Sequence, residues 1–281
     1  MGKLYIVGTP IGNLEDFSPR AVRILSEVDF IAAEDTRVTL KLLNHFGIKK
    51  PMVSYFEHNR RERGEEIAAR LEQGESCALV TDAGMPAISD PGEDLVNLCH
   101  ERGISLESVP GPSAVITALA LSGMPSGRFC FEGFLSVNKP SRREHLLSLR
   151  EERRTMIFYE APHKLLATLR DMLEVFGDRP VAVVRELTKL HEEAVRTTLS
   201  TAVDAYTETP PKGEFVLIIG GAPAAEQPAH TLEEAVRYAA SLREDGLSPT
   251  AAAKEAAAQF GFKKGEIYKA ILPSVDKDSH A

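Results

Sequence analysis

Short, nearly unbroken hydrophobic runs alternate with longer stretches of mixed polarity along the first 121 residues. Lys3–Gly8, Phe30–Ala33, Met52–Tyr55, Cys77–Thr81 and Ile104–Val109 are the runs, and each reads as a β-strand buried on both faces. Between them the apolar positions fall at helical spacing. Ser18-Pro19 opens the first helix, because a Ser side chain caps an exposed N–H and Pro gives up a donor that has no helical partner. Leu40, Leu42, Leu43 and Phe46 form the next helix, which Gly47 closes. Further helices are predicted over Glu65–Leu71, through Leu95 to Cys99, and over Ser113–Leu121. Apolar strands separated by amphipathic helices imply a parallel sheet covered on both sides.

Ser122-Gly123-Met124-Pro125-Ser126-Gly127 interrupts this rhythm and marks a boundary. Beyond it lie strands at Phe129–Phe131, Thr155–Tyr159, Val181–Arg185 and Phe215–Ile219, with helices near Arg142–Leu149 and Leu165–Phe176. Ala194–Leu199, rich in β-branched residues, reads as an antiparallel partner strand. After a Gly/Ala/Pro linker at Gly220–Pro228, three short helices follow at Thr231–Leu242, Pro249–Phe260 and Lys263–Ile271. The expected architecture is therefore α/β and two-lobed: a parallel-sheet N-terminal domain over 1–121, a mixed-sheet domain over 122–221, and a small helical appendage over 229–281.

Composition narrows the function. Of 281 residues, 43% are hydrophobic and 26% charged, an ordinary globular balance. No apolar run approaches the ~20 residues of a membrane span, and the first residues do not form a secretory signal, so a soluble, cytoplasmic protein is expected. Cys77, Cys99 and Cys130 lie far apart among apolar neighbours and read as buried thiols. The eight histidines show no metal-ligand spacing, and no metal is expected. The net charge of −8 limits any nucleic-acid surface to a local patch. Lys139–Arg154 and the Arg60, Arg61, Arg63 cluster are the two basic stretches, and both also suit solvated helix faces.

Ligands of open α/β sheets bind beyond the carboxyl ends of the strands. Four such loops are unusual here: Gly8-Thr9-Pro10-Ile11-Gly12-Asn13, Glu34-Asp35-Thr36-Arg37, the run from Thr81 to Gly92, and Pro110-Gly111-Pro112-Ser113. They carry five of the 17 prolines and several carboxylates. Taken together they predict a ligand cleft. A nicotinamide dinucleotide fits poorly, since Pro10 stands where a backbone N–H must approach the pyrophosphate. A Walker motif is missing as well. A ligand with a cationic centre and no phosphate, such as S-adenosylmethionine, matches carboxylates and carbonyls better.

At these same loops the chain resembles the tetrapyrrole-methylase-like superfamily of S-adenosylmethionine enzymes. Within it, the resemblance is to the bacterial 16S rRNA cytidine 2′-O-methyltransferases. It is carried by Leu4–Leu14, Ile31–Arg37, Thr81–Gly92 and Val109–Ala114, and in the second lobe by Arg128–Leu135, Phe158-Tyr159-Glu160, Arg185–Lys189 and Lys212-Gly213-Glu214. Met85 departs from the expected Thr. The resemblance implies a cofactor, S-adenosylmethionine, folded between two lobes, contacting Pro10 and Ile11, Met85 and Ile88, Ser113 and Ala114, then Tyr159 and the strand ends near Glu186 and Gly213. It also implies a homodimer, and a substrate in the decoding centre of 16S rRNA within the small ribosomal subunit. The C-terminal helices would help hold RNA through Lys263, Lys264, Tyr268 and Lys269.

Methyl transfer to a ribose hydroxyl calls for positioning and for a base or an alkoxide stabiliser. The candidates are Glu34, Asp35 and Asp82 as base or positioner, and Arg37 or Lys189 as phosphate or alkoxide partner. The same carboxylates also suit a structural task, orienting Arg37 and the loops. The rival expectations are a methyltransferase acting on a corrin or porphyrin precursor, a non-catalytic RNA-binding module, and a nicotinamide oxidoreductase.

Overall fold

In the computed structural model, residues 2–223 and 230–272 are described. The chain divides into two compact units, Met1–Ala222 and Pro223–Ala281. The larger unit is built on two five-stranded sheets.

The first sheet contains β1 (Lys3–Val7), β2 (Phe30–Ala33), β3 (Met52–Ser54), β4 (Cys77–Val80) and β5 (Ser105–Val109). Its order is β3-β2-β4-β1-β5, and every pair is parallel. The helices α1 (Pro19–Glu27), α2 (Thr36–His45), α3 (Arg60–Glu72), α4 (Glu93–Glu101) and α5 (Ala114–Ser122) connect and follow the strands. Two apolar cores result, one on each face: Val7, Leu25, Ile31 and Val80 lie in one, Leu4, Phe30, Leu71 and Leu79 in the other. Ser18 caps α1 by accepting from the Ala21 N–H at 3.1 Å, as the Ser-Pro pair implies.

The second sheet contains β6 (Phe129–Phe134), β7 (Thr155–Glu160), β8 (Pro180–Arg185), β9 (Glu193–Thr198) and β10 (Phe215–Ile219), in the order β6-β7-β10-β8-β9. Only β6 and β7 pair in parallel; the other neighbours are antiparallel, so the sheet is mixed. Helices α6 (Lys139–Ser148), α7 (Pro162–Phe176) and α8 (Leu199–Glu208) accompany it. Its other face, through Ile157, Ala182, Val184 and Ile218, packs with Val115, Ala118 and Leu119 of α5, which joins the two lobes.

The smaller unit holds α9 (Leu232–Glu244), α10 (Pro249–Phe260) and α11 (Lys264–Ile271) around Ala235, Ala239, Ala252, Ala256 and Ile267. Thr231 and Glu234 form a reciprocal capping box on α9, and Gly261 ends α10 at φ +76°. Lys263, Lys264 and Lys269 are exposed and Tyr268 is half-buried. Residues 224–229 of the second linker, and 273–281 of the expected helical appendage, lie outside the described residues.

Four local expectations change. Helix α2 begins at Thr36, with Asp35 as its cap, so the motif after β2 is a helix start rather than a free loop. Helix α8 was not anticipated; it takes over directly from β9, and Leu199 belongs to it. The basic stretch from Lys139 to Arg154 is not wholly a solvated face either. Arg142 is buried, its Nε donating to Asp171 at 2.7 Å and Nη1 to the Ser136 carbonyl at 3.1 Å. Arg143 pairs with Glu174, and Arg154 with Glu152. In the other basic cluster, Arg60 bridges Glu57 and Asp94, while Arg63 pairs with Glu66. Cys77 and Cys99 are buried; Cys130 is only half-buried.

Candidate functional site

The carboxyl ends of β1, β4 and β5 are drawn together by their loops. Gly8 donates its N–H to the Val109 carbonyl at 3.1 Å, which brings it against Gly111. Thr9 and Gly84 then form a two-hydrogen-bond antiparallel bridge beyond the parallel strands, at 2.9 and 3.2 Å. The Thr9 hydroxyl adds a bond to the Thr81 carbonyl at 3.1 Å. After Gly84 the backbone is forced into left-handed conformation at two residues with side chains, Ala87 at φ 66° and Ser89 at φ 65°. Non-glycine residues held this way store strain, and such strain gathers at functional sites.

The facing rim comes from the second lobe. Glu186 (φ 51°) and Thr188 (φ 64°) are again left-handed non-glycine residues, in the connection after β8. Phe134, Tyr159, Leu187 and Val216 line a cavity of about 370 Å3 together with Ile11, Met85, Ile88, Ser113 and Ala114 from the first lobe. Tyr159 is held by Phe131 and Phe134, with ring centroids 4.9 and 5.3 Å away. Burial pushes its hydroxyl up to about 12, against a hydrogen bond from the Val115 backbone.

The charges in this wall are one-sided. Asp90, Glu160 and Glu214 line it, and among the described residues no Lys, Arg or His does. Glu160 is fully engaged: its carboxylate accepts from Thr168 Oγ1 at 2.6 Å and the Ala161 N–H at 2.9 Å, and pairs with Lys164 at 2.9 Å. Glu214 is mostly exposed and pairs with Lys189. Burial, with the nearby Glu34 and Asp82 charges, pushes the Asp90 carboxyl up to about 6. A site of this volume with apolar walls and a few polar groups is typical of small-molecule binding. The cations beside the wall, Lys164 and Lys189, are each held by a carboxylate and leave little for a phosphate, whereas a nucleoside bearing a positive centre has both apolar walls and carboxylates.

A second cavity of about 290 Å3 lies behind the same loops, lined by Pro10, Leu14, Val38, Lys41, Leu42 and Asp82 among others. Beside it the acidic residues after β2 and β4 form a network. Glu34 Oε2 accepts from the Thr81 hydroxyl at 2.5 Å, and Asp82 Oδ1 accepts from the Asp35 N–H at 3.2 Å. Asp35 accepts from Arg37 Nε at 3.0 and 3.2 Å and from Nη2 at 2.6 Å. The Arg37 side chain and backbone N–H together hold the Asp35 carboxyl down at about 2. Asp82 is shifted the other way, raised by burial and by the Glu34 charge.

Lys189 is tied to Glu186 and Glu214, both at 3.0 Å. Burial lowers its pKa, but these two hydrogen bonds outweigh that and raise it. The Glu186 carboxylate also accepts from the Glu214 N–H at 3.0 Å and covers Gly213, where a Cβ would stand 2.6 Å from Glu186 Oε1. Gly12 in turn touches this tie: a Cβ there would lie 2.7 Å from Lys189 Cγ and 2.8 Å from Thr188 Oγ1, a buried hydroxyl without a partner among the described residues.

Of the residues singled out from sequence, Ile11, Met85, Ile88, Ser113, Ala114 and Tyr159 meet around the larger cavity. Pro10 and Asp82 face the smaller one. Glu186 and Gly213 stand one residue behind the wall residues Leu187 and Glu214. Sequence reasoning passed over Asp90, Phe134, Glu160, Leu187 and Val216. Asp90 was within reach, since it ends the Pro86–Asp90 stretch of a loop already marked. Among the described residues, no group of three or more His, Cys, Asp or Glu is arranged to hold a metal ion.

Comparison with known proteins agrees with this architecture. Residues 3–203 match the family described as Tetrapyrrole (Corrin/Porphyrin) Methylases. The chain is 48% identical over 273 residues to the ribosomal RNA small subunit methyltransferase I of Synechocystis sp., covering 97% of this chain and 98% of that protein. It is 52% identical over 221 residues to the protein of the same name from Thermotoga maritima, covering 79% and 99%. Among solved structures, uroporphyrin-III C-methyl transferase from Thermus thermophilus, complexed with S-adenyl homocysteine, superposes with a TM-score of 0.53 at 19% identity, covering 78% of this chain and 97% of that one.

Proposed function

The chain belongs to the tetrapyrrole methylases, and from that premise we propose that it methylates the ribose 2′-oxygen of a cytidine in the decoding centre of 16S rRNA, using S-adenosylmethionine. The observation that carries this reading is identity near 50% with ribosomal RNA small subunit methyltransferase I proteins over 97% and 79% of the chain. The larger cavity suits the methyl donor on its own chemistry, with apolar walls, three carboxylates and no cation among the described lining residues. Ile11, Met85, Ile88, Ser113, Ala114 and Tyr159 would hold it, with Glu186 and Gly213 shaping the rim. When bound, the donor supplies an electrophilic methyl group on a sulfonium.

The chain's own residues supply position and exclusion of water. The Thr9–Gly84 bridge and the left-handed residues Ala87 and Ser89 fix the loops before any ligand arrives, so little ordering remains to be done on binding. Asp35 holds Arg37, whose side chain is 87% exposed, at the mouth of α2, where it would meet an RNA phosphate. Glu34 and Asp82 hold the Thr81 hydroxyl and the Asp35 N–H around it. Lys189, neutralised by two carboxylates, ties the rim to the first loop. Lys263, Lys264, Tyr268 and Lys269 on the helical unit are the further RNA contacts of this reading, and the enzyme acts as a cytoplasmic homodimer.

Methyl incorporation from labelled S-adenosylmethionine tests the reading. Small ribosomal subunits lacking the modification, naked 16S rRNA and a corrin precursor are compared. Label on a ribose 2′-oxygen of a decoding-centre cytidine is expected. Transfer to the tetrapyrrole alone would replace this reading with the metabolic one.

A further inference from the structure

Three carboxylates line the larger cavity, and their surroundings separate them. Glu160 is closed off by a hydroxyl, an N–H and an ammonium. Glu214 points to solvent and is paired. Asp90 forms no ion pair among the described residues, and the Thr81 hydroxyl beside it donates to Glu34 at 2.5 Å. The remaining acids near the strand ends are committed as well: Asp35 to Arg37, Glu34 to Thr81, Asp82 to the Asp35 N–H.

Asp90 is also held in place. It follows Ser89 at φ 65°, precedes Pro91, and its loop is closed by Gly92. A Cβ on Gly92 would stand 3.0 Å from the Ala87 backbone N, so the two ends of the loop touch. A general base needs a free acceptor oxygen in the cavity, a fixed position and a neighbourhood that favours taking up a proton.

We propose that Asp90 is the general base that takes the proton from the acceptor hydroxyl. This rests on the reading of the site as a methyltransferase acting on a ribose. The acceptor O–H bond breaks and its proton passes to an Asp90 Oδ. The oxygen's electron pair forms the O–CH3 bond as the methyl–sulfur bond breaks, and that bond's pair stays on the now neutral thioether. The proton then leaves to solvent. The groups facing Asp90 are Glu34 and Asp82 from the ends of β2 and β4, and Tyr159 from the second lobe. The two carboxylates favour its protonated state, and the tyrosine stays neutral throughout the working range.

The test combines a rate profile with binding. For the wild type, kcat/KM on small subunits rises with pH and levels off near 6. Asp90→Asn lowers kcat at least about 100-fold, the lower end of what a general base contributes, and abolishes that rise. Its affinity for S-adenosylhomocysteine stays within about threefold, and Asp90→Glu recovers part of the rate. A variant that keeps wild-type kcat, or keeps the acid limb, overturns the assignment.

A second measurement needs no variant. Calorimetry of S-adenosylmethionine binding near pH 6, in two buffers of different ionisation enthalpy, is expected to show proton release; S-adenosylhomocysteine, lacking the positive charge, shows none. Equal proton linkage for both ligands overturns the placement of Asp90 beside the reacting atoms. If no RNA accepts a methyl group, the substrate reading falls, while the calorimetric result still judges Asp90.

Discussion

Gly8 and Gly111 meet backbone to backbone: a Cβ on Gly8 would lie 2.7 Å from Gly111 Cα, and one on Gly111 would lie 2.8 Å from Gly8 Cα. Neither has a left-handed φ, so what these positions require is space. The contact lets the loops after β1 and β5 share one edge of the cavity. Gly111→Ala is expected to destabilise the larger unit by about 1–3 kcal/mol, the usual cost of overpacking. Thermal melting should fall by about 3–10 °C, with weakened binding of S-adenosylhomocysteine. Gly127→Ala, with nothing within 4 Å of the added carbon, is the control. Equal melting temperatures for the two variants would refute the close-contact argument.

The Arg142–Asp171 pair is the most enclosed ion pair of the second lobe, with side chains 9% and 8% exposed. Removing one partner leaves a buried charge without compensation. Arg142→Ala should therefore cost about 3–5 kcal/mol, read by denaturant unfolding. The double replacement Arg142→Met with Asp171→Leu removes both charges and should recover most of the loss. A double variant no more stable than the single one contradicts this account.

Strain in the Gly84–Gly92 loop gives a prediction of opposite sign. Ala87 holds φ 66°, a conformation that costs a residue with a Cβ about 1–2 kcal/mol. Ala87→Gly should raise the melting temperature slightly. It should also loosen the loop, so that S-adenosylhomocysteine binds several-fold more weakly in a titration. Lower stability would show that the Ala87 methyl packs more usefully than the strain costs.

Asp90 makes stability depend on pH. Burial first, then Glu34, raises its folded-state pKa to about 6, while an unfolded aspartate titrates near about 3.9. Between those values the folded chain holds a proton that the unfolded chain has released, so this group's contribution falls as pH rises through the window. Asp90→Asn escapes that loss. The variant should melt higher than the wild type at pH 8, and the gap should close as pH falls toward 4. A gap independent of pH would mean that Asp90 is not desolvated.

The strands were legible because strands covered on both faces leave continuous apolar runs, whether parallel like Phe30–Ala33 or antiparallel like Phe215–Ile219. Helix α8 was not, because Leu199–Glu208 buries only Leu199 and Ala202 fully and follows a β-branched strand with no intervening turn. The first-lobe half of the cavity could be read from its Gly/Pro loops, since backbone shape is written locally. Its second half could not be: Phe134, Leu187 and Val216 converge only once β6, β8 and β10 are ordered in the sheet. The separation of Asp90 from Asp35 depends on the same thing. One carboxylate finds an arginine two residues away, and the other is enclosed partly by a lobe far along the chain.

The Thr9–Gly84 bridge joins two loops that the parallel sheet alone would leave free to move separately. With the Gly8–Gly111 contact behind it, the first-lobe side of the cavity is a single rigid jaw. On the other rim Lys189, Glu186 and Glu214 are tied together and Val216 lies in the central strand, but Phe134 is exposed at the end of the edge strand β6. Any yielding as molecules exchange is then expected first at the Phe134 edge, while the first lobe acts as the anvil.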